Sequence, residues 1–210
     1  MTRIVAGSAK GRTLAVPKSG TRPTSERVRE ALFSRLDHMN VLEGATVLDL
    51  FAGTGALGLE ALSRGAARAT LVEKASAAAR VASANVRATG LPARVVTADV
   101  RAYLGARSGE ALTGENDLVF IDPPYDIPEG DMTTVLSALA PWVGPDSLIV
   151  VERSTRAPAP TWPPFLVLED TRAWGETVAY FAGPPLPKDE ESSEAAERAA
   201  ASPVREETAP

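Results

Sequence analysis

The sequence predicts an α/β fold: a doubly wound, mostly parallel seven-stranded sheet with antiparallel edge strands, preceded by a small N-terminal β-hairpin and helix. Three observations carry that expectation. From residue 46 onward, apolar runs of strand length alternate with segments of helical period, as in parallel strands covered on both faces. Several of these runs end in an acid, and the first leads into a glycine-rich turn, Gly53-Thr54-Gly55-Ala56-Leu57-Gly58. At 210 residues the chain has room for one full-sized domain with short appendages.

Taken in order, Arg3-Ile4-Val5 and Arg12 to Val16 read as a hairpin whose loop has Gly7 and Gly11 at its ends. Pro17 to Pro23 is extended. Thr24 is placed to cap a helix on which Val28, Ala31, Leu32 and Leu36 form an apolar stripe, with Arg27 and Arg35 on the polar side and Arg29 at its edge. Strands are expected at 46–50, 69–73, 94–98, 117–121, 147–152, 165–170 and 177–181, the last two as an antiparallel pair. Helices are expected from Gly55 or Ala56 to Gly65, from a Ser76 cap to Thr89 with Gly90 as the stop, over 99–106 and over 129–140. The segments 108–115 and 153–164 are irregular connections. Residues from Gly183 onward are rich in Pro, Glu, Ser and Ala and poor in large apolar side chains, so they bury too little surface to offset chain entropy and are expected to be disordered. The organisation is therefore a basic hairpin and helix at 1–45, an α/β domain at 46–183 and an acidic tail at 184–210.

Composition narrows the function. With no cysteine, disulfides, thiolate metal sites and cysteine nucleophiles are excluded, including attack on a pyrimidine through a cysteine adduct. A single histidine, His38, cannot make a multi-histidine metal site, and no metal is expected. No apolar run reaches membrane-span or signal-peptide length, which predicts a cytoplasmic protein without a membrane partner. Net charge is −5, yet residues 1–45 hold eight Lys/Arg against four acids. A basic arm on an acidic protein suggests a polyanion partner, with Arg3, Lys10, Arg12, Lys18, Arg22, Arg27 and Arg29 as the candidate nucleic-acid contacts.

The glycine turn follows Val47-Leu48-Asp49-Leu50-Phe51-Ala52, and Glu73 lies twenty residues past Gly53, at the end of the next strand, where a carboxylate can accept two ribose hydroxyls. Taken alone this also matches an NAD fingerprint. Asp49 would repel a pyrophosphate but could hold a cationic amine, and Asp99, ending the third strand, can accept from an adenine amine. Acids at three consecutive strand ends suit S-adenosylmethionine, which carries a ribose, an adenine and an ammonium but no phosphate. They are also residues that cap helices. The fourth strand delivers Asp122-Pro123-Pro124-Tyr125 to the same edge. The Asp122 carboxylate and the Pro123 carbonyl can grip the hydrogens of one exocyclic amine, favouring its pyramidal, nucleophilic form, and Tyr125 offers a face on which a base can stack.

Asp-Leu-Phe-Ala-Gly-Thr-Gly with Asp-Pro-Pro-Tyr resembles the class I, Rossmann-like S-adenosylmethionine-dependent amino-methyltransferases. Arg3-Ile4-Val5-Ala6-Gly7, Lys10-Gly11-Arg12, Arg22-Pro23-Thr24 and Arg27 to Phe33 are similar to the RsmD family, bacterial small-subunit ribosomal RNA guanine-N2 methyltransferases. The resemblance covers residues 3 to about 182 and departs at Ala6 and in the acidic tail. It implies that Asp122, Pro123, Pro124 and Tyr125 are catalytic. It also implies a cofactor site drawn from Asp49, Phe51, Ala52, Gly53, Thr54, Gly55, Glu73, Lys74, Asp99, Val100 and Thr24, the last within a segment that closes over the methionine end. The implied partner is ribosomal RNA, free or in an assembling small subunit, bound by a monomer. A DNA amino-methyltransferase acting on adenine or cytosine, an NAD-dependent oxidoreductase and a non-catalytic RNA-binding module are the alternatives. The lack of a sizeable target-recognition domain weighs against the first.

Overall fold

In the computed structural model the described residues are 2–16, 26–106 and 115–185. Lys18, Arg22 and Thr24, most of the connection at 108–115 and the tail from 186 lie outside them. Strands β1 (Thr2–Arg3) and β2 (Thr13–Leu14) pair antiparallel, with Thr2 opposite Leu14. Helix α1 (Glu26–His38) follows. The chain then alternates through β3 (Thr46–Leu50), α2 (Ala56–Ser63), β4 (Arg68–Glu73), α3 (Ser76–Thr89), β5 (Ala93–Thr97), α4 (Val100–Gly105), β6 (Asn116–Ile121), α5 (Glu129–Ser137) and β7 (Val143–Ser154), and ends in β8 (Val167–Trp174) and β9 (Thr177–Gly183).

The large sheet has seven strands in the order β5-β4-β3-β6-β7-β9-β8. The first five are parallel, while β9 runs antiparallel to both β7 and β8. The winding reverses between β3 and β6, and at such a switch point the loops leaving the two carboxyl ends diverge and open a crevice. Here those loops are the glycine turn and Asp122–Tyr125.

Several expected boundaries shift for identifiable reasons. Strand β7 starts at Val143, because Asn116 pairs with Val143 before the register shifts towards Leu118. Helix α5 stops at Ser137, and Pro141 sits in a separate 3-10 turn over Ala140–Trp142. Ser76 does not cap α3: Ala75 occupies that position without a side-chain bond. The Ala75 N–H donates instead to Glu73 Oε1 at 2.6 Å. The Gly90 stop stands, in the left-handed region at φ 70°.

Two apolar layers cover the sheet. Leu32, Phe33 and Leu36 of α1, with Leu57, Leu59 and Leu62 of α2, pack on the face that carries Val47, Leu118, Phe120 and Val150. Val100 and Leu104 of α4, with Met132, Val135 and Leu136 of α5, pack on the opposite face against Leu48, Leu50, Val119, Ile121 and Val151. Alternation along each strand therefore sends residues 49, 120, 150 and 152 towards α1 and α2.

The N-terminal arm docks on α2 through polar groups that leave almost no room. Glu60 is fully buried; its Oε2 accepts from the Val5 N–H at 2.7 Å and its Oε1 from the Ala6 N–H at 3.0 Å. Ser63 Oγ accepts from the Ala9 N–H at 2.9 Å, and the Ser8 N–H donates to the Ser63 carbonyl at 2.6 Å. Gly7, at φ +81°, passes so close that a Cβ there would lie 1.7 Å from the Ser63 carbonyl oxygen.

Candidate active site

One cleft of about 1020 Å³ runs along the carboxyl edge of the sheet across the switch point, at the upper end of the range for pockets that take a drug-sized molecule. It is lined by Asp49, Phe51 to Thr54, Glu73, Lys74, Asp99 and Val100 on one side and by Asp122 to Tyr125 on the other. Of the eleven cofactor residues expected from the sequence, Thr24 lies outside the described residues, and among the other ten Gly55 alone does not line the cleft. Gly55 is buried beneath the turn as the N-cap of α2 at φ 79°, and a Cβ there would meet Leu71 Cδ1 at 2.8 Å.

The turn is held from below by carboxylates. Asp49, 1% exposed, accepts from the Gly58 N–H at 2.9 Å, and a Cβ on Gly58 would lie 2.3 Å from Leu71 and 3.2 Å from Asp49 Oδ2. Glu73 Oε2 accepts from the Gly53 N–H at 2.9 Å. Phe51 adopts φ 61°, a left-handed conformation that costs a non-glycine residue about 1–3 kcal/mol, and it lines the cleft. Asp99 takes both roles open to a strand-end acid. Its Oδ1 accepts from the Arg101 and Ala102 N–H groups as the N-cap of α4, while Lys74 Nζ donates to its Oδ2 at 3.0 Å. Lys74 holds the Asp99 carboxyl below its ordinary value, helped by those two backbone donors.

This donor and acceptor set fits S-adenosylmethionine. Glu73 and Asp99 are acceptors for hydroxyl and amine hydrogens, and Asp49 is a buried acid beneath the turn. Burial pushes the Asp49 carboxyl up to about 7, reinforced by the nearby Asp122 and Glu73 charges and opposed by the Gly58 N–H. The fold therefore favours the protonated acid, whereas the unfolded chain ionises near 3.8. That stabilisation is complete below about pH 4 and is lost as pH rises through 7. Urea denaturation at pH 5 and pH 8 is expected to show this loss in the native sequence and a flatter profile in Asp49→Asn. A cationic ligand group beside Asp49 would favour the ionised form, so donor binding near pH 7 is expected to release protons, a release that the variant loses.

Asp122 is half-buried, Pro123 buried, and Tyr125 is 68% exposed at the mouth, its ring available for stacking. The Ile127 N–H closes the loop by donating to the Pro124 carbonyl at 3.1 Å. Among the expected nucleic-acid contacts, Arg3, Lys10, Arg12 and Arg27 are exposed. Arg12 Nη1 donates to the Ala88 carbonyl at 2.7 Å, which ties the arm to α3. Arg29 is corrected: it is 1% exposed, donates to the Arg3 carbonyl, and lies with Nε 3.7 Å from Glu60 Oε2. Burial lowers its pKa against the pull of Glu60, Glu26 and Glu152. It is a buried counter-charge rather than a surface contact for RNA.

Asn85 was not singled out in the sequence, although its spacing after Ala78 and Ala82 placed it on the buried face of α3. Its Oδ1 accepts from the Ala15 N–H at 2.8 Å, and its Nδ2 donates to the carbonyls of Ala15 at 3.1 Å and Thr54 at 3.0 Å. One amide thus joins the arm to the glycine turn and sets Val16 on the cleft wall. Asn85→Ala leaves these backbone groups without their partner, at about 1–3 kcal/mol of stability. Calorimetric titration with S-adenosylhomocysteine is expected to show affinity reduced about tenfold, since each 1.4 kcal/mol is a factor of ten.

Known proteins share this sequence and this fold. A family model described as Conserved hypothetical protein 95 matches residues 2–183. The Escherichia coli K12 protein named ribosomal RNA small subunit methyltransferase D is 40% identical over 180 residues, 85% of this chain and 87% of that one. A Streptomyces pristinaespiralis protein named 4-amino-L-phenylalanine/4-methylamino-L-phenylalanine methyltransferase is 36% identical over 155 residues, 69% of this chain and 48% of that one. The solved structure of Escherichia coli yhhF matches with a TM-score of 0.75 at 36% identity, covering 89% of this chain and 99% of that chain. Match, identity and fold agree, and the chain belongs to the RsmD family of class I, S-adenosylmethionine-dependent methyltransferases.

Proposed function

We propose that this protein, as a cytoplasmic monomer, transfers a methyl group from S-adenosylmethionine to the exocyclic N2 amine of one guanine in small-subunit ribosomal RNA. The observation that carries the reading is the meeting of the glycine turn and Asp122–Tyr125 in one cleft, beside a basic arm. The name of the Escherichia coli relative supports ribosomal RNA as the substrate. The Streptomyces relative is named for an amine attached to an aromatic ring, which supports a ring-conjugated amine as acceptor. Among the described residues no helix is long and apolar enough to cross a membrane.

When bound, S-adenosylmethionine supplies an electrophilic methyl group on a sulfonium. Glu73 and Asp99 would hold its ribose and adenine, and Asp49 would face its cationic end. Asp122 and the Pro123 carbonyl accept the two N2 hydrogens of the guanine, which localises the nitrogen lone pair for in-line attack. Tyr125 stacks on the extruded base, and the exposed arginines of the arm hold the flanking phosphates. Incubation with methyl-labelled donor and small-subunit RNA from cells lacking the gene tests the reading. Label in N2-methylguanosine is the expected outcome; label confined to another nucleoside, or none, rejects it.

A further inference from the structure

Asp122 and the Pro123 carbonyl select an amine, and adenine offers one as readily as guanine does. We propose that Arg153 supplies the missing discrimination by donating to guanine O6, a reading that rests on the guanine acceptor proposed above. Strands β6 and β7 are parallel, with Ile121 level with Val151, so Arg153 sits one residue beyond the level of Asp122. It lines the same cleft as Asp122 to Tyr125.

Its hydrogen bonding is incomplete. Arg153 is 7% exposed, and its Nη1 is buried without a hydrogen-bond partner. Nη2 lies 3.6 Å from Glu129 Oε2, too far for a hydrogen bond, and that oxygen also has no hydrogen-bond partner. Glu129 is itself anchored by its other oxygen, Oε1, which accepts from the Thr161 N–H at 3.1 Å. A buried guanidinium left in this state is costly and uncommon. Glu129 already balances the charge, so the ligand that completes the site is a neutral acceptor rather than a phosphate. The loose tether lets the guanidinium swing towards an entering base.

Guanine presents such an acceptor: O6 lies on the ring edge beyond N1, reached from the N2 amine. Adenine gripped by its own amine has only C2–H at the corresponding place. Arginine to guanine O6 and N7 is also the commonest specific contact to a base edge.

The test uses small-subunit RNA with 6-thioguanosine at the methylated position, mapped first with the wild-type enzyme. This analogue keeps the N2 amine and N1–H and weakens only the acceptor at position 6. Wild type is expected to favour guanine about tenfold or more in kcat/KM. Arg153→Ala should lose about 10- to 100-fold on guanine and bring the ratio to near one, with affinity for S-adenosylhomocysteine unchanged. Arg153→Lys, which keeps a cation beside Glu129, should recover part of the guanine rate. Should the alanine variant fail to fold, the lysine variant carries the test through its narrowed ratio. An unchanged ratio in the folded variant, or a loss that tracks cofactor affinity, overturns the proposal. Failure of wild type to methylate guanine N2 overturns the proposed function as well, and is seen before any variant is made.

Discussion

Asp122→Ala is expected to lower kcat for methyl transfer about 10²–10³-fold, the scale of removing one preorganised polar partner from a reacting centre. The KM for RNA should change little, because the arm and Tyr125, the proposed contacts to the nucleotide, are untouched. The turn beneath the donor is tied by Gly58 to Asp49 and by Gly53 to Glu73, so binding of S-adenosylhomocysteine should survive. Asp122→Asn keeps one acceptor oxygen and should fall between the two. Single-turnover kinetics separates this loss from binding. A variant that loses cofactor affinity in step with kcat would move Asp122 from the chemistry to the framework.

The second large effect is on stability. Glu60 is the only acid in α2, and four groups converge on it: the Val5 and Ala6 N–H groups, Arg64 Nε at 2.8 Å and Arg29 Nε at 3.7 Å. Glu60→Ala leaves the Arg29 charge buried without this counter-ion, and breaking a buried pair in that way costs about 3–5 kcal/mol. For a domain of this size that corresponds to a fall of roughly 6–20 °C in Tm. Glu60→Gln, which still accepts from the arm, should lose less. Thermal denaturation followed by circular dichroism measures both. A Tm within a degree or two of wild type would mean that the arm docks without this carboxylate.

The sheet was legible because alternation of strand and helix is a local signal, and because the glycine turn and Asp-Pro-Pro-Tyr follow two strands of one parallel sheet, which puts both at its carboxyl edge. Glu73 and Asp99 were legible as strand-end acids. Their backbone bonds to Gly53, Ala75, Arg101 and Ala102 were not, since each depends on the path of a turn. Arg29 shows where local pattern fails. Arg29, Leu32, Phe33 and Leu36 lie on one helical face and are all buried, yet a charged residue reads as solvent-facing until its partner is known. That partner, Glu60, is 31 residues away in sequence by the numbering of the two residues. Asn85 shares that limitation, as a polar residue on the buried face of α3 whose partners, Ala15 and Thr54, are distant in sequence.

Mass analysis of small-subunit ribosomal RNA nucleosides tests the central claim most directly, comparing cells with the gene, without it, and with the Asp122→Ala form restored. One N2-methylguanosine is expected to disappear on deletion, return with the wild-type gene and stay absent with the variant. An unchanged N2-methylguanosine content on deletion, or loss of a different methylated nucleoside, would contradict it.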